Sequence, residues 1–124
     1  MKEISTHFCT IEPSHISRAL LMKEDISMPA NSRDFPCKGK VLFEQSSTDT
    51  EAGTKWSMTF RAVTTDKFAE RLNGRRQCIG FFLSDGSLRI IGAHDAAPVL
   101  HVTPYDGSVC VVSATFESAT PLAL

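Results

Sequence analysis

The sequence predicts a mainly β protein, an antiparallel β-sandwich or partly closed β-barrel carrying one short helix at about residues 65–73. Three observations lead there. Residues 55–63, KWSMTFRAV, set Trp56, Met58, Phe60 and Ala62 in alternation with Ser57, Thr59 and Arg61, the period of a strand with one face in a core. Residues 76–102 hold two apolar runs that meet at Asp85-Gly86, and a third follows a short polar gap. Turn-forming residues separate roughly seven such short runs along the chain, and no internal repeat organises them.

Taken in order, residues 4–11 (ISTHFCTI) are rich in β-branched and aromatic side chains and form the expected first strand, closed by Pro13. Residues 14–24 (SHISRALLMKE) are compatible with a short helix capped by Ser14 and with an extended strand, the second being slightly preferred. Residues 25–37 (DISMPANSRDFPC) contain prolines and several turn formers, so they read as a long surface loop. Residues 38–45 (KGKVLFEQ) place Val41 and Phe43 on one face and form a hairpin with residues 55–63. The connection, SSTDTEAGT at 46–54, is polar, contains Gly53 and has no apolar anchor, which predicts a loop projecting into solvent unless a partner orders it.

The helix follows at TDKFAERLN, where Thr65 or Asp66 can cap the N-terminus, Phe68 and Leu72 lie one turn apart, and Gly74 stops it. So short a helix must dock on a sheet to persist. Residues 77–84 then put Ile79, Phe81 and Leu83 on one face and Cys78, Gly80 and Phe82 on the other. Asp85-Gly86 supplies the tight reversal, and residues 87–92, with Leu88, Ile90 and Ile91, return. Both this ribbon and that at 56–63 are expected to bury one side each. Pro98 cannot donate to a ladder, so it begins the next strand or lies on an edge, and the strand continues through residues 99–103. In residues 107–117, Val109, Val111, Ser113 and Thr115 oppose Cys110, Val112, Ala114 and Phe116. The tail, ATPLAL, is short and apolar.

Composition narrows the class. A hydrophobic content of 42% beside 22% charged residues is that of a globular chain, and 124 residues suffice for one domain, 1–124, with a real core. A net charge of −1 lacks the cationic surplus of proteins that grip nucleic acid or anionic lipid, so neither partner is expected. No N-terminal apolar leader and no run of about eighteen apolar residues is present, which predicts a soluble chain that is cytoplasmic when synthesised.

Chemistry is nearly silent. Cys9, Cys37, Cys78 and Cys110 lie far apart and form no C-x-x-C pair, a spacing that speaks against a structural metal and for reduced cysteines packed as small hydrophobes. His94-Asp95 with His101, beside Cys78 or Cys110, is the single grouping that resembles acid–base or nucleophilic chemistry, and nothing in the spacing brings its members together. There is no G-x-S-x-G, P-loop, dinucleotide fingerprint or H-E-x-x-H. Glu24-Asp25 reads as a solvated pair, and Arg75-Arg76 as a helix-end pair facing water or a partner's acidic groups. No catalytic, cofactor or metal residue is assigned.

Residues 39–116 carry a further pattern: G-K-V-L-F-E, a polar stretch ending A-G-T-K-W before an alternating strand, a short helix ending R-L-N-G-R-R, then F-F-L-S-D-G-S-L-R-I-I-G, a proline-led strand, and S-A-T-F-E-S. This resembles small prophage-encoded virion proteins associated with the tail. The resemblance implies a structural, non-enzymatic protein with a compact β fold, of the tail-tube or tail-completion kind, that self-associates or binds protein partners and enters a virion-like particle. It brings no catalytic residues. Sheet edges and loops are then the expected contact surfaces, with Ser46, Asp49, Thr54, Arg75 and Arg76 as candidate partner contacts. The other reading open to a β fold of this size is a module that holds a small ligand or a peptide in a barrel mouth or sheet cleft.

Overall fold

The computed structural model describes residues 4–11, 33–39, 41–83, 88–92 and 96–119. Eight strands lie within them: β1 (Ile4–Ile11), β2 (Arg33–Pro36), β3 (Leu42–Thr50), β4 (Gly53–Thr64), β5 (Cys78–Leu83), β6 (Leu88–Ile91), β7 (His101–Val102) and β8 (Cys110–Ser118). They form two four-stranded sheets, one in the order β2-β1-β5-β6 and one in the order β3-β4-β8-β7, with every pairing antiparallel. The architecture is a sandwich and not a closed barrel. Among the described residues each sheet ends in two edge strands, and the bridge Cys37↔Thr64 ties one sheet to the other.

The alternating strands behave as their period requires. Met58, Phe60 and Ala62 of β4 are buried while Thr59 and Arg61 are exposed, and Cys110, Val112 and Ala114 of β8 are buried beside them. From the other sheet Phe8, Phe35, Ile79, Phe81, Leu83 and Ile91 meet this surface in one continuous core. Aromatic rings cross the interface: Phe8 packs edge-on to Phe60 at 5.3 Å, Phe81 stacks on Phe60 at 6.3 Å, and Phe43 lies 5.2 Å from Phe81. Each fully buried ring of this kind contributes about 2 kcal/mol by removal from water, with roughly 1 kcal/mol more from a well-placed ring pair.

The expectation that β5 buries one side is corrected. Its residues Ile79, Phe81 and Leu83 enter the main core, as the alternation predicts, but Cys78 is also fully buried. It joins Cys9, Ile11, Leu88, Ile90 and Ala97 in a second apolar layer on the opposite face, with Phe82 packed against it. β5 is a central strand, and its glycine serves that layer: a Cβ on Gly80 would lie 2.5 Å from Cys9 Sγ, so only glycine lets β1 and β5 approach here.

Four further expectations change. The short helix expected at about residues 65–73 is a 3-10 helix confined to Lys67–Leu72. Asp66 caps it, its carboxylate accepting from the Phe68 N–H at 2.9 Å, and Ala69 and Leu72 are its buried anchors. Residues 33–36 of the expected 25–37 loop form the edge strand β2, which pairs with β1 from His7↔Pro36 to Thr10↔Arg33. The proline stands at the strand's end, where a missing N–H is tolerated. The strand foreseen at 99–103 shortens to His101–Val102, with Val99 bridging Arg76. The connection 46–54 is not a loop, as described below. Residues 14–24, the Asp85-Gly86 reversal, His94-Asp95 and the apolar tail beyond Ala119 lie outside the described residues.

Candidate functional site

Two exposed features of the β3-β4-β8-β7 sheet stand out. The first is an arm. β3 and β4 pair in unbroken register from Leu42↔Arg61 to Thr50↔Gly53, which leaves only Glu51 and Ala52 to make the turn. β8 supports β4 no further than Trp56↔Ser118, so the pairs Thr48↔Lys55, Asp49↔Thr54 and Thr50↔Gly53 stand beyond the third strand. Every residue from 46 to 55 is exposed. The expected projecting segment is therefore present, built as paired strand.

A two-stranded ribbon without a core is marginal by itself, so local bonds and the anchored base must hold it. The Thr54 hydroxyl donates to Asp49 Oδ1 at 3.1 Å, the Thr50 hydroxyl donates to the Gly53 carbonyl at 2.6 Å, and Lys55 Nζ lies 2.8 Å from Glu117 Oε2 at the base. Gly53 holds a φ of 117°, a conformation open to glycine and strained for other residues. The outer edge of β3 carries the charged Glu44 and Asp49 but lacks other usual safeguards of an edge strand. Over its nine residues it contains no proline and no lysine, it has no bulge, and Leu42 is 57% exposed.

The second feature is a groove of about 750 Å³ at the sheet's other edge. β7 pairs with β8 only at Val102↔Val112 and His101↔Ser113, so among the described residues no strand covers β8 beyond Ser113 on that side. The Val111 carbonyl accepts from the Thr103 N–H at 3.0 Å, which shows that alternate residues from Val111 aim their backbone toward β7. Thr115 and Glu117 continue that set and present their N–H and C=O groups to the groove. Pro98 and Val99 form the opposite wall, Met58 and Phe116 supply apolar surface, and Arg76 stands at the side with its guanidinium donating to the Ala97 carbonyl at 3.1 Å.

The candidate contacts read from the sequence fall in or beside these two places. Ser46, Asp49 and Thr54 lie on the arm. Arg76 lines the groove and is held by Val99 and Ala97, whereas Arg75 is the exposed residue before it and does not line the groove; its carbonyl accepts from Leu100 N–H at 2.9 Å. The wall at 96–99 was not foreseen. Its sequence, AAPV, carries no signal beyond the proline.

The thiols show why nucleophilic chemistry finds little support here. Burial pushes the Cys9 thiol up to about 12, reinforced by Asp34, and pushes Cys37 up to about 11. Cys110 is raised too, by desolvation first and then by Glu70, Asp66 and Asp106. A neutral thiol is a poor nucleophile, and Cys78 is fully buried. His101 is exposed on β7. Among the described residues no group of three or more His, Cys, Asp or Glu side chains could hold a metal ion, and no helix is long and apolar enough to cross a membrane.

The remaining charged cluster ties β2 to the helix. Arg33 lies over the Phe68 ring at 3.7 Å and reaches Asp66 at 3.3 Å, while Arg71 covers Phe68 at 5.2 Å. These contacts clamp a surface aromatic and leave Asp66 in its capping role. No protein-family model, curated protein or solved structure matches this chain.

Proposed function

We propose that this protein is a non-enzymatic assembly component, of the tail-associated virion type that residues 39–116 resemble, and that it joins protein partners or further copies of itself through strand edges. The observation that carries this reading is the arm. Among the described residues nothing packs on the hairpin past its supporting strand, whereas a partner that covers it gains both its backbone edge and its threonine-rich faces. Incorporation into a virion-like particle follows from the resemblance.

Sedimentation of the purified chain across a range of concentrations, alone and with candidate tail proteins, tests the reading. The result expected is a concentration-dependent larger species, or a stable complex, that is lost when residues 48–55 are replaced by an Asn-Gly turn. A species that stays monomeric under all of these conditions contradicts it.

A second reading draws on the groove. A cleft of mixed polar and apolar lining with backbone N–H and C=O groups along one side suits an extended peptide, which would make the protein a peptide-binding β module. Saturable binding of short extended peptides by a chain that remains monomeric favours it over assembly.

A further inference from the structure

We propose that the arm and the groove are the two halves of one interface: the β3 edge of one copy seats beside β8 in the groove of the next, joining copies head to tail. This rests on the assembly reading above and names its partner as a second copy of this chain. Among the described residues the two edges of the sheet are different surfaces, β3 at one end and β8 with the short β7 at the other. Pairing one with the other is heterologous, so it repeats around a ring if the rotation closes and along a filament if it does not.

The two halves match in kind and in charge. Among the described residues no strand pairs with residues 114–117 of β8 on the groove side, and the exposed arm portion of β3, residues 46–50, is a similar length of extended backbone. The groove carries Arg76, with Arg75 adjoining, whereas the arm and its turn carry Asp49 and Glu51 on exposed positions. Glu117 in the groove is already engaged by Lys55, so its charge does not stand unopposed against an incoming acidic strand. Complementary charge of this sort sets register and partner choice, while the added backbone ladder supplies affinity. A pairing of β3 with β3 in a two-fold dimer would leave the groove and its arginines without a role.

Charge reversal on each half, followed by mixing, tests the pairing. An arm variant (Asp49→Lys with Glu51→Lys) and a groove variant (Arg75→Glu with Arg76→Glu) are each compared with the wild type by sedimentation. Native folding is verified by the fluorescence of Trp56. Each variant is expected to raise the concentration needed for assembly by roughly tenfold or more. Mixed in equal amounts, the two are expected to restore assembly as copies that alternate. In that alternating series the changed arm, now basic, meets the changed groove, now acidic, and the native arm meets the native groove.

Should reversal at Arg76 disturb the fold, Thr115→Pro provides the second test. It deletes an N–H that no described strand pairs with, and so blocks strand addition at little cost. Assembly unchanged by both the groove variant and Thr115→Pro overturns the arm-in-groove pairing and leaves assembly through other surfaces standing. A wild type that never assembles overturns both.

Discussion

Replacing Gly80 by alanine places a methyl group where Cys9 Sγ already sits. The added Cβ would lie 2.5 Å from that sulfur and 3.4 Å from Leu88 Cδ1, against a comfortable separation of about 3.5–4.0 Å between such atoms, so something must move by about 1 Å. Cys9 and Gly80 face each other across β1 and β5, and Cys9 is fully buried, which leaves the thiol no open space to enter. Overpacking of this kind costs about 1–3 kcal/mol, offset by roughly 0.5 kcal/mol because alanine has less unfolded-state freedom than glycine. Gly80→Ala is therefore expected to destabilise by about 1–2 kcal/mol, or a fall in Tm of roughly 4–8 °C for a domain of this size. Urea unfolding followed by the single tryptophan, Trp56, measures it. The discriminating experiment is the double-mutant cycle with Cys9→Ala. Removing the sulfur opens the space the new methyl needs, so the double variant should be more stable than the sum of the single effects by about 1 kcal/mol. A neutral Gly80→Ala, or additivity within about 0.3 kcal/mol, refutes the close approach of β1 and β5.

Asp66→Ala removes both the cap on Phe68 N–H and the partner of Arg33, and is expected to cost about 1 kcal/mol in urea unfolding, with Asp66→Asn closer to the wild type because it keeps the acceptor. Because burial raises the Cys9 thiol to about 12 and Cys37 to about 11 from an ordinary 9.0, the unfolded chain loses these protons first as pH rises. Stability should be unaffected by these groups below pH 9 and fall between about pH 9 and 12, and Cys9→Ala should flatten that fall in a pH series of urea midpoints. Native labelling with a thiol reagent at neutral pH should leave Cys9, Cys78 and Cys110 unmodified and reach half-buried Cys37 only slowly, whereas rapid labelling of Cys78 or Cys110 would reopen a nucleophilic role.

What the sequence disclosed depended on whether a strand had one apolar face. β4 and β8 were legible because Met58, Phe60, Ala62 and Cys110, Val112, Ala114 alternate with residues that meet water. The arm was hidden for the opposite reason: SSTDTEAGT is exposed on both faces, so no period-two pattern marks it, and its pairing is imposed by the register of the anchored part of β3 and β4. β2 escaped notice because Arg33, Asp34 and Pro36 are exposed and only Phe35 is buried, too little for an apolar period. The second apolar layer around Cys9 and Cys78 could not be inferred, since a strand buried on both faces looks in sequence like any short apolar run. At the candidate site, Arg75 and Arg76 were visible as charge, but the groove arises from where β7 stops, a tertiary fact with no local signature.

The backbone amides of Thr115 and Glu117 give the most direct test of assembly through open strand edges. Residue-resolved hydrogen exchange, followed as protein concentration is raised, should find both exchanging fast in the dilute chain and becoming protected as larger species form, with the arm amides of residues 46–50 changing in step. Assembly that leaves Thr115 and Glu117 exchanging at their dilute rates would contradict it.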